Sequence, residues 1–408
     1  MAKKEEYYVG LDIGSSKITA VVGQPDEDGV ISVIGVGTSH LTGIKKGVVS
    51  EIEETVSGIS EAIEMAEGVS GSHISAATIN INGGHINSTN SRGVVAVARA
   101  DQEITLNDLT RAEDAAQAVQ ILANKEIIHA IPRYFVVDSG EPVKDPLGMS
   151  GVRLEVETHL VVVSSQATKN LSKCVAQAGV GIEDVIVSPF AAAKSVVTKR
   201  QRELGCVLVD MGAATTGITV LIDDSILYTK VFPIGAASIT NDIAIGLRTS
   251  IDVAEKVKFK YGHAVSDEVQ ETAKVDLSAI DIHEEGVIPV KHVAEIIEDR
   301  LEEIFALVRD ELRKIKYESL LPAGLIFTGG GAKLSGVEEL AKRYFKLPVN
   351  IGKPHSLGGL TEKVYDPAYS VAVGLMLYSF EEKSRHGGTR TLPDIYGKAK
   401  DLFKIFLP

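Results

Sequence analysis

The sequence predicts an α/β protein in which two duplicated α/β domains face each other across a cleft, with an inserted α+β subdomain in the first domain. Three observations carry this. An apolar strand ending in Asp-x-Gly, followed by small hydroxyl residues and a second strand, occurs at Tyr8–Gly14 and again at Cys206–Gly212. Each copy then turns through acidic residues into a third strand, so strand order and turn chemistry repeat together, as internal duplication requires. Between about residues 84 and 163 the rhythm differs from that on either side.

The elements follow in order. Tyr7–Ile13, Lys17–Gly23 and Val30–Thr38 read as strands separated by Gly-Ser-Ser and Pro-Asp-Glu-Asp-Gly turns. Ser50 is placed to cap a helix whose apolar stripe is Ile52, Val56, Ile59 and Ile63. Ser75–Asn82 returns as a strand. The stretch 84–163 holds strand-like Val94–Ala98, a helix from Leu106 to about Ala123, and strand-like runs at 127–137 and 152–163. A helix, Gln166–Ala178, and a strand, Asp184–Ser188, resume the α/β pattern.

After the repeated strands Thr216–Ile222 and Ser225–Gly235, helices are predicted at Ser238–Leu247 and Val253–Tyr261. A weakly patterned polar stretch covers 262–285. A long helix over 291–316 carries Val293, Ile297, Leu301, Ile304, Val308, Leu312 and Ile315 on one stripe. Ala323–Thr328 reads as a buried strand, and Gly329-Gly330-Gly331 is expected to open the next helix. A helix at Tyr369–Phe380 closes the domain. Residues 381–395 lack periodicity and read as a linker.

Composition narrows the class. With 408 residues, 44% hydrophobic and 24% charged, the chain is long enough for several packed domains. The net charge of −13 repels phosphate backbones and argues against nucleic-acid binding. No run of eighteen apolar residues occurs, and the N-terminus lacks the pattern of a signal peptide. Two cysteines, Cys174 and Cys206, sit in apolar contexts and read as buried thiols.

The chemistry concentrates in three loops. Asp12-Ile-Gly14-Ser15-Ser16-Lys17 offers turn N–H groups and hydroxyls to phosphate oxygens, a lysine to a polyphosphate, and an aspartate to a hydrated Mg²⁺. Its repeat runs Asp210-Met-Gly212-Ala213-Ala214-Thr215-Thr216. The third, Thr328-Gly329-Gly330-Gly331-Ala332-Lys333, ends a buried strand in three glycines. Facing loops of this kind would clamp β- and γ-phosphates, with Asp12 and Asp210 on the metal.

These motifs, in this order and at these separations, resemble the phosphate and adenosine loops of the actin/Hsp70/sugar-kinase superfamily. Within it, Ile34-Gly-Val-Gly, Lys46-Gly-Val-Val, Gly148-Met-Ser-Gly-Val-Arg, Leu247-Arg-Thr-Ser and Ala294-Glu-Ile-Ile-Glu resemble the FtsA family of bacterial cell-division proteins. The resemblance implies an actin-like fold with ATP and Mg in the interdomain cleft. Residues 1–83 and 164–195 would form the first core subdomain, with 84–163 inserted in it. Residues 196–226 and 306–380 would form the second core, and 227–305 its companion subdomain. Glu255 and Lys258 match positions that contact ribose and base in relatives. Asn241 and Arg300 match the region that binds the C-terminal tail of FtsZ. The implied role is a polymer on the cytoplasmic face of the membrane at the septum, anchoring the FtsZ ring and recruiting later division proteins.

One departure stands out. Ala213 and Ala214 replace two glycines of the usual second phosphate loop, and each Cβ narrows the backbone's freedom. No general base adjoins the loops, so at most weak ATP turnover is expected. A kinase or chaperone-type ATPase of the same fold is the rival reading; it would need a substrate base or a further substrate domain that the sequence does not display. A pilus or secretion scaffold of the same fold is a third.

Residues 396–408 place Ala399, Leu402, Phe403, Ile405, Phe406 and Leu407 on one helical face and Lys400, Asp401 and Lys404 on the other. A basic amphipathic segment behind a linker reads as an anchor on anionic lipid. Partial immersion of five such side chains gives roughly 5–8 kcal/mol. Ordering the tail costs about 1 kcal/mol or more per residue. One copy therefore binds reversibly, and a filament of many copies binds firmly through avidity.

Overall fold

Val- and Ile-rich runs separated by Gly, Asp and Ser turns fold into two large sheets, each covered by helices, beside two small two-stranded ones. The computed structural model describes residues 7–26, 29–41, 43–98 and 101–387. The expected membrane segment, with Lys400, Leu402, Phe403, Lys404, Ile405 and Phe406, lies outside the described residues, as do 388–395 of the expected linker.

The first sheet runs Gly181–Val187, Ala76–Ile81, Tyr8–Ile13, Ile18–Pro25, Ile31–Ser39 and Gly358–Gly359. Its three earliest strands form an antiparallel meander, and Ala76–Ile81 and Gly181–Val187 add in parallel. Helix Ile52–Ser70 packs on Ile31–Ser39, and the closing helix Ser370–Gly387 packs on Tyr8–Ile13. The second sheet begins with the same plan: Val349–Ile351, Leu325–Thr328, Cys206–Met211, Thr216–Ile222 and Ser225–Phe232. Asp12 pairs with Thr19 and Asp210 with Gly217, each one step before its hairpin turn. The turns also match, since Gly14 N–H donates to the Lys17 carbonyl at 3.1 Å and Gly212 N–H to that of Thr215 at 2.9 Å.

The insertion comprises strands Asn87–Ala96, Lys125–Val137 and Arg153–Ser164 with helix Leu106–Gln117 on one face. Leu109, Ala112 and Ala116 pack there against Leu154 and Val156. Although the chain inserts it in the first half, its three strands extend the sheet of the second. The junction is one backbone pair, Asn87 with Lys230. Polar side chains carry the rest of it. Ser88 Oγ donates to the Thr229 carbonyl at 2.7 Å, Asn90 Nδ2 to that of Leu227 at 3.1 Å, and Lys230 Nζ to Asn87 Oδ1 at 2.7 Å.

Several elements differ from expectation. Ser50 does not cap its helix; its hydroxyl donates to the Gly43 carbonyl, and Glu51 is the N-cap residue. The insertion's helix stops at Gln117, because the stripe ends at Ala116 and leaves Ile121 and Leu122 exposed. The three glycines enter a single 3₁₀ turn, Gly330–Lys333, and the α-helix begins only at Val337. The polar stretch holds a small hairpin, Lys274–Asp276 with Val287–Pro289. The last helix runs to Gly387, so residues 381–387 of the expected linker are helical.

Candidate functional site

Both Asp-x-Gly hairpins and the glycine turn open on one cleft between the halves, with a cavity of about 100 Å³. Asp12, Gly14, Ser15, Ser16 and Lys17 line one wall. Asp210, Gly212, Ala213, Ala214, Thr215, Gly329 and Gly330 line the other.

Two carboxylates dominate the electrostatics. Burial, then the charge of Asp12, pushes the Asp210 carboxyl up to about 7. Burial also raises Asp12, to about 6, against the pull of Lys17. Asn80 Nδ2 donates to Asp12 Oδ1 at 2.7 Å, and the Lys17 ammonium stands 4.1 Å from the centre of the Tyr369 ring. Burial lowers the pKa of Lys17, with Asp12 and Asp366 opposing. A buried and a half-buried carboxylate beside a single lysine on the cleft wall favour an added cation. Mg²⁺ fits such a donor set, since it keeps most of its waters and binds through one or two carboxylates plus phosphate oxygens.

The glycine turn serves close approach. Gly329 has φ +85°, and a Cβ there would stand 2.5 Å from Asp210 Oδ1 and 2.5 Å from the Met211 carbonyl. Gly330 faces open space, whereas Gly331 is buried against Met211. Ala213 and Ala214 adopt no left-handed conformation, so this loop accommodates a Cβ at both positions without backbone strain.

Other expected site residues stand elsewhere. Thr216 is fully buried and its hydroxyl donates to the Ile234 carbonyl at 2.8 Å, so it is spent within the second half. Lys333 pairs with Asp366, outside the lining. Glu255 and Lys258 lie on helix Ile251–Tyr261, 3.9 Å apart, and Lys258 Nζ donates to Thr240 Oγ1 at 2.6 Å. Neither lines the cleft. Asn241 is exposed on helix Ala236–Leu247, and Arg300 bonds Asp242 of that helix through both Nε and Nη2.

The cleft also contains residues the sequence reading passed over: Gly47, Asn82, Ser188, Pro367 and Ala368. Asn80 stands behind Asp12. Asn80 lies in strand Ala76–Ile81 and Asn82 directly follows it, and two asparagines at the carboxyl end of a buried parallel strand were the available signal. Gly47 joins through its N–H, which donates to Ser15 Oγ at 3.2 Å.

Comparison with known proteins fits this geometry. A family model described as cell division protein FtsA matches residues 207–374, and one described as the SHS2 domain inserted in FtsA matches 83–162. Cell division protein FtsA of Pseudomonas aeruginosa is 42% identical over 376 residues, covering 92% of this chain and 90% of the relative. The chain belongs to the FtsA family. The Bacillus subtilis FtsA is 38% identical over 92% of this chain and 83% of its own length. The actin-like fold also appears in a solved PilM–PilN type IV pilus biogenesis complex, with TM-score 0.67 and 17% identity over 91% of this chain and 98% of that one. MreB5 of Spiroplasma citri bound to AMPPNP gives TM-score 0.56 and 12% identity over 95% and 100%. This is therefore an actin-like member of a cell-division family. No described helix is long and apolar enough to cross a membrane.

Proposed function

We propose that the chain binds Mg-ATP in the cleft, polymerises on the cytoplasmic face of the membrane, anchors the FtsZ ring there and recruits later division proteins. The observation that carries the reading is the duplicated hairpin. It delivers Asp12 and Asp210, two phosphate-sized turns and Lys17 to one cleft from opposite halves. Asp12 and Asp210 would hold the magnesium through its waters, and Lys17 with the turn N–H groups would hold the phosphates. A bound nucleotide would supply contacts to both halves and fix their relative angle. Among the described lining residues, Asp12 and Asp210 are the only carboxylates, and both are used on the metal in this reading.

The FtsZ tail would dock at Asn241 and Arg300. Arg300 is held by Asp242 and Glu303, so an acidic tail would enter by exchange of ion pairs. The basic amphipathic segment 396–408 would hold the polymer on anionic lipid. Co-sedimentation with anionic vesicles tests the reading, using the full chain and a chain ending at Gly387, each with and without Mg-ATP. The full chain alone is expected to pellet, and more with nucleotide. Equal behaviour of the two chains would remove the anchor, and indifference to Mg-ATP would remove the coupling of nucleotide to polymer.

A further inference from the structure

We propose that Asn82, hydrogen-bonded across the cleft to Thr215 of the second phosphate loop, discriminates a nucleoside triphosphate from a diphosphate. This rests on the nucleotide reading above and adds a residue to it.

The orientation of the Asn82 amide follows from its neighbours. Oδ1 accepts the Gly83 N–H at 2.9 Å, a bond that only the oxygen can make. The NH₂ group therefore faces the other way, where Nδ2 donates to Thr215 Oγ1 at 3.1 Å. That bond crosses the cleft, since Asn82 directly follows strand Ala76–Ile81 of the first half and Thr215 belongs to the second hairpin loop. Both residues line the cleft.

The bond leaves two donors over. An amide nitrogen carries two protons and Thr215 keeps its hydroxyl proton. No described residue accepts the second Asn82 proton or the Thr215 proton. Neighbouring polar groups are spent. Asn80 accepts from Ile13 N–H and donates to both Asp12 and Ser188, and Thr216 donates to Ile234. Two neighbouring donors, one from each half, suit an oxygen bearing negative charge. Asp12 and Asp210 on the same cleft repel a bare anion, so the occupant is a phosphate that brings its own cation. A diphosphate lacks the group that reaches from one half to the other.

The test titrates the full chain with Mg-ATP and with Mg-ADP by calorimetry, for wild type, Asn82→Ala, Asn82→Asp and Thr215→Val. Losing a hydrogen bond to a charged group is expected to weaken Mg-ATP about tenfold or more in Asn82→Ala, with Mg-ADP within about twofold. Asn82→Asp keeps the shape, removes the donors and adds charge, and is expected to lose more. Thr215→Val should show the same selective loss. Retained ADP affinity reports that each variant is folded. Equal weakening of both nucleotides, or of neither, overturns the subsite while leaving the nucleotide site standing. A wild-type chain that binds neither nucleotide overturns the parent reading and the subsite with it.

Discussion

Replacing Asp210 by asparagine is expected to stabilise the ligand-free protein while weakening its hold on a magnesium nucleotide. The side chain is 7% exposed, and its pKa rises from the ordinary 3.8 to about 7. That rise represents about 4 kcal/mol acting against the charged folded state. Water in the adjoining cleft screens part of it, so about 2–3 kcal/mol is the expected gain at pH 8. The sign follows from proton uptake. A carboxyl whose pKa is raised by folding binds a proton on folding between about pH 4 and 7. Its contribution is complete below its unfolded pKa and is lost as pH rises through 7. Wild type should therefore lose stability over that window, and the asparagine variant should lose less. Urea unfolding in chelator at pH 5 and pH 8 measures the gap, expected to be roughly 1 kcal/mol at pH 5 and two to three times larger at pH 8. Calorimetry should show Mg-ATP binding weakened about tenfold or more, because the carboxylate proposed to hold the magnesium is gone. A variant less stable than wild type at pH 8, or a gap independent of pH, would refute the account of an Asp210 carboxyl raised by burial and by the charge of Asp12.

Three further outcomes are expected. Gly329→Ala should lose about 2 kcal/mol or more of stability, since φ is +85° and the new Cβ meets Asp210 and the Met211 carbonyl; Gly330→Ala, in open space, should lose far less, and urea midpoints compare them. Arg300→Ala should cost about 1 kcal/mol through the lost Asp242 pair and, under the proposed docking at Arg300, abolish binding of an FtsZ tail peptide, read by fluorescence anisotropy. Ser88→Ala with Asn90→Ala should speed amide exchange in Ser225–Phe232, because the side chains that replace a backbone ladder at that edge are removed; unchanged protection would mean that the Asn87–Lys230 pair holds the edge alone.

Legibility in the sequence followed the range of the interactions involved. The hairpins around Asp12 and Asp210 are local, so strand, turn and repeat were readable from a dozen residues each. The stripe of Val290–Lys314 was readable because one helix face meets one core. The glycine turn misled because Gly329 and Gly331 answer to Asp210 and Met211, residues distant in the chain, and not to a helix start. The strand Asn87–Ala96 was read only from Val94 because its first half is polar, and its polarity serves an edge contributed by residues 227–230. Asn80 and Asn82 were passed over for the same reason: their value lies in Asp12 and Thr215, across the sheet and across the cleft.

The junction between Asn87 and Lys230 has a consequence for anyone who cuts or transplants this chain. Sequence boundaries at 83 and 162 delimit a module that is separable on paper. In space its removal would strip Ser225–Phe232 of its neighbour and leave a row of unpaired N–H and C=O groups on a free β-edge. A deletion of the module would thus report on self-association through a raw edge as well as on the lost subdomain. A graft of it into another host would carry the complementary edge, Asn87 to Asn90, in search of a strand.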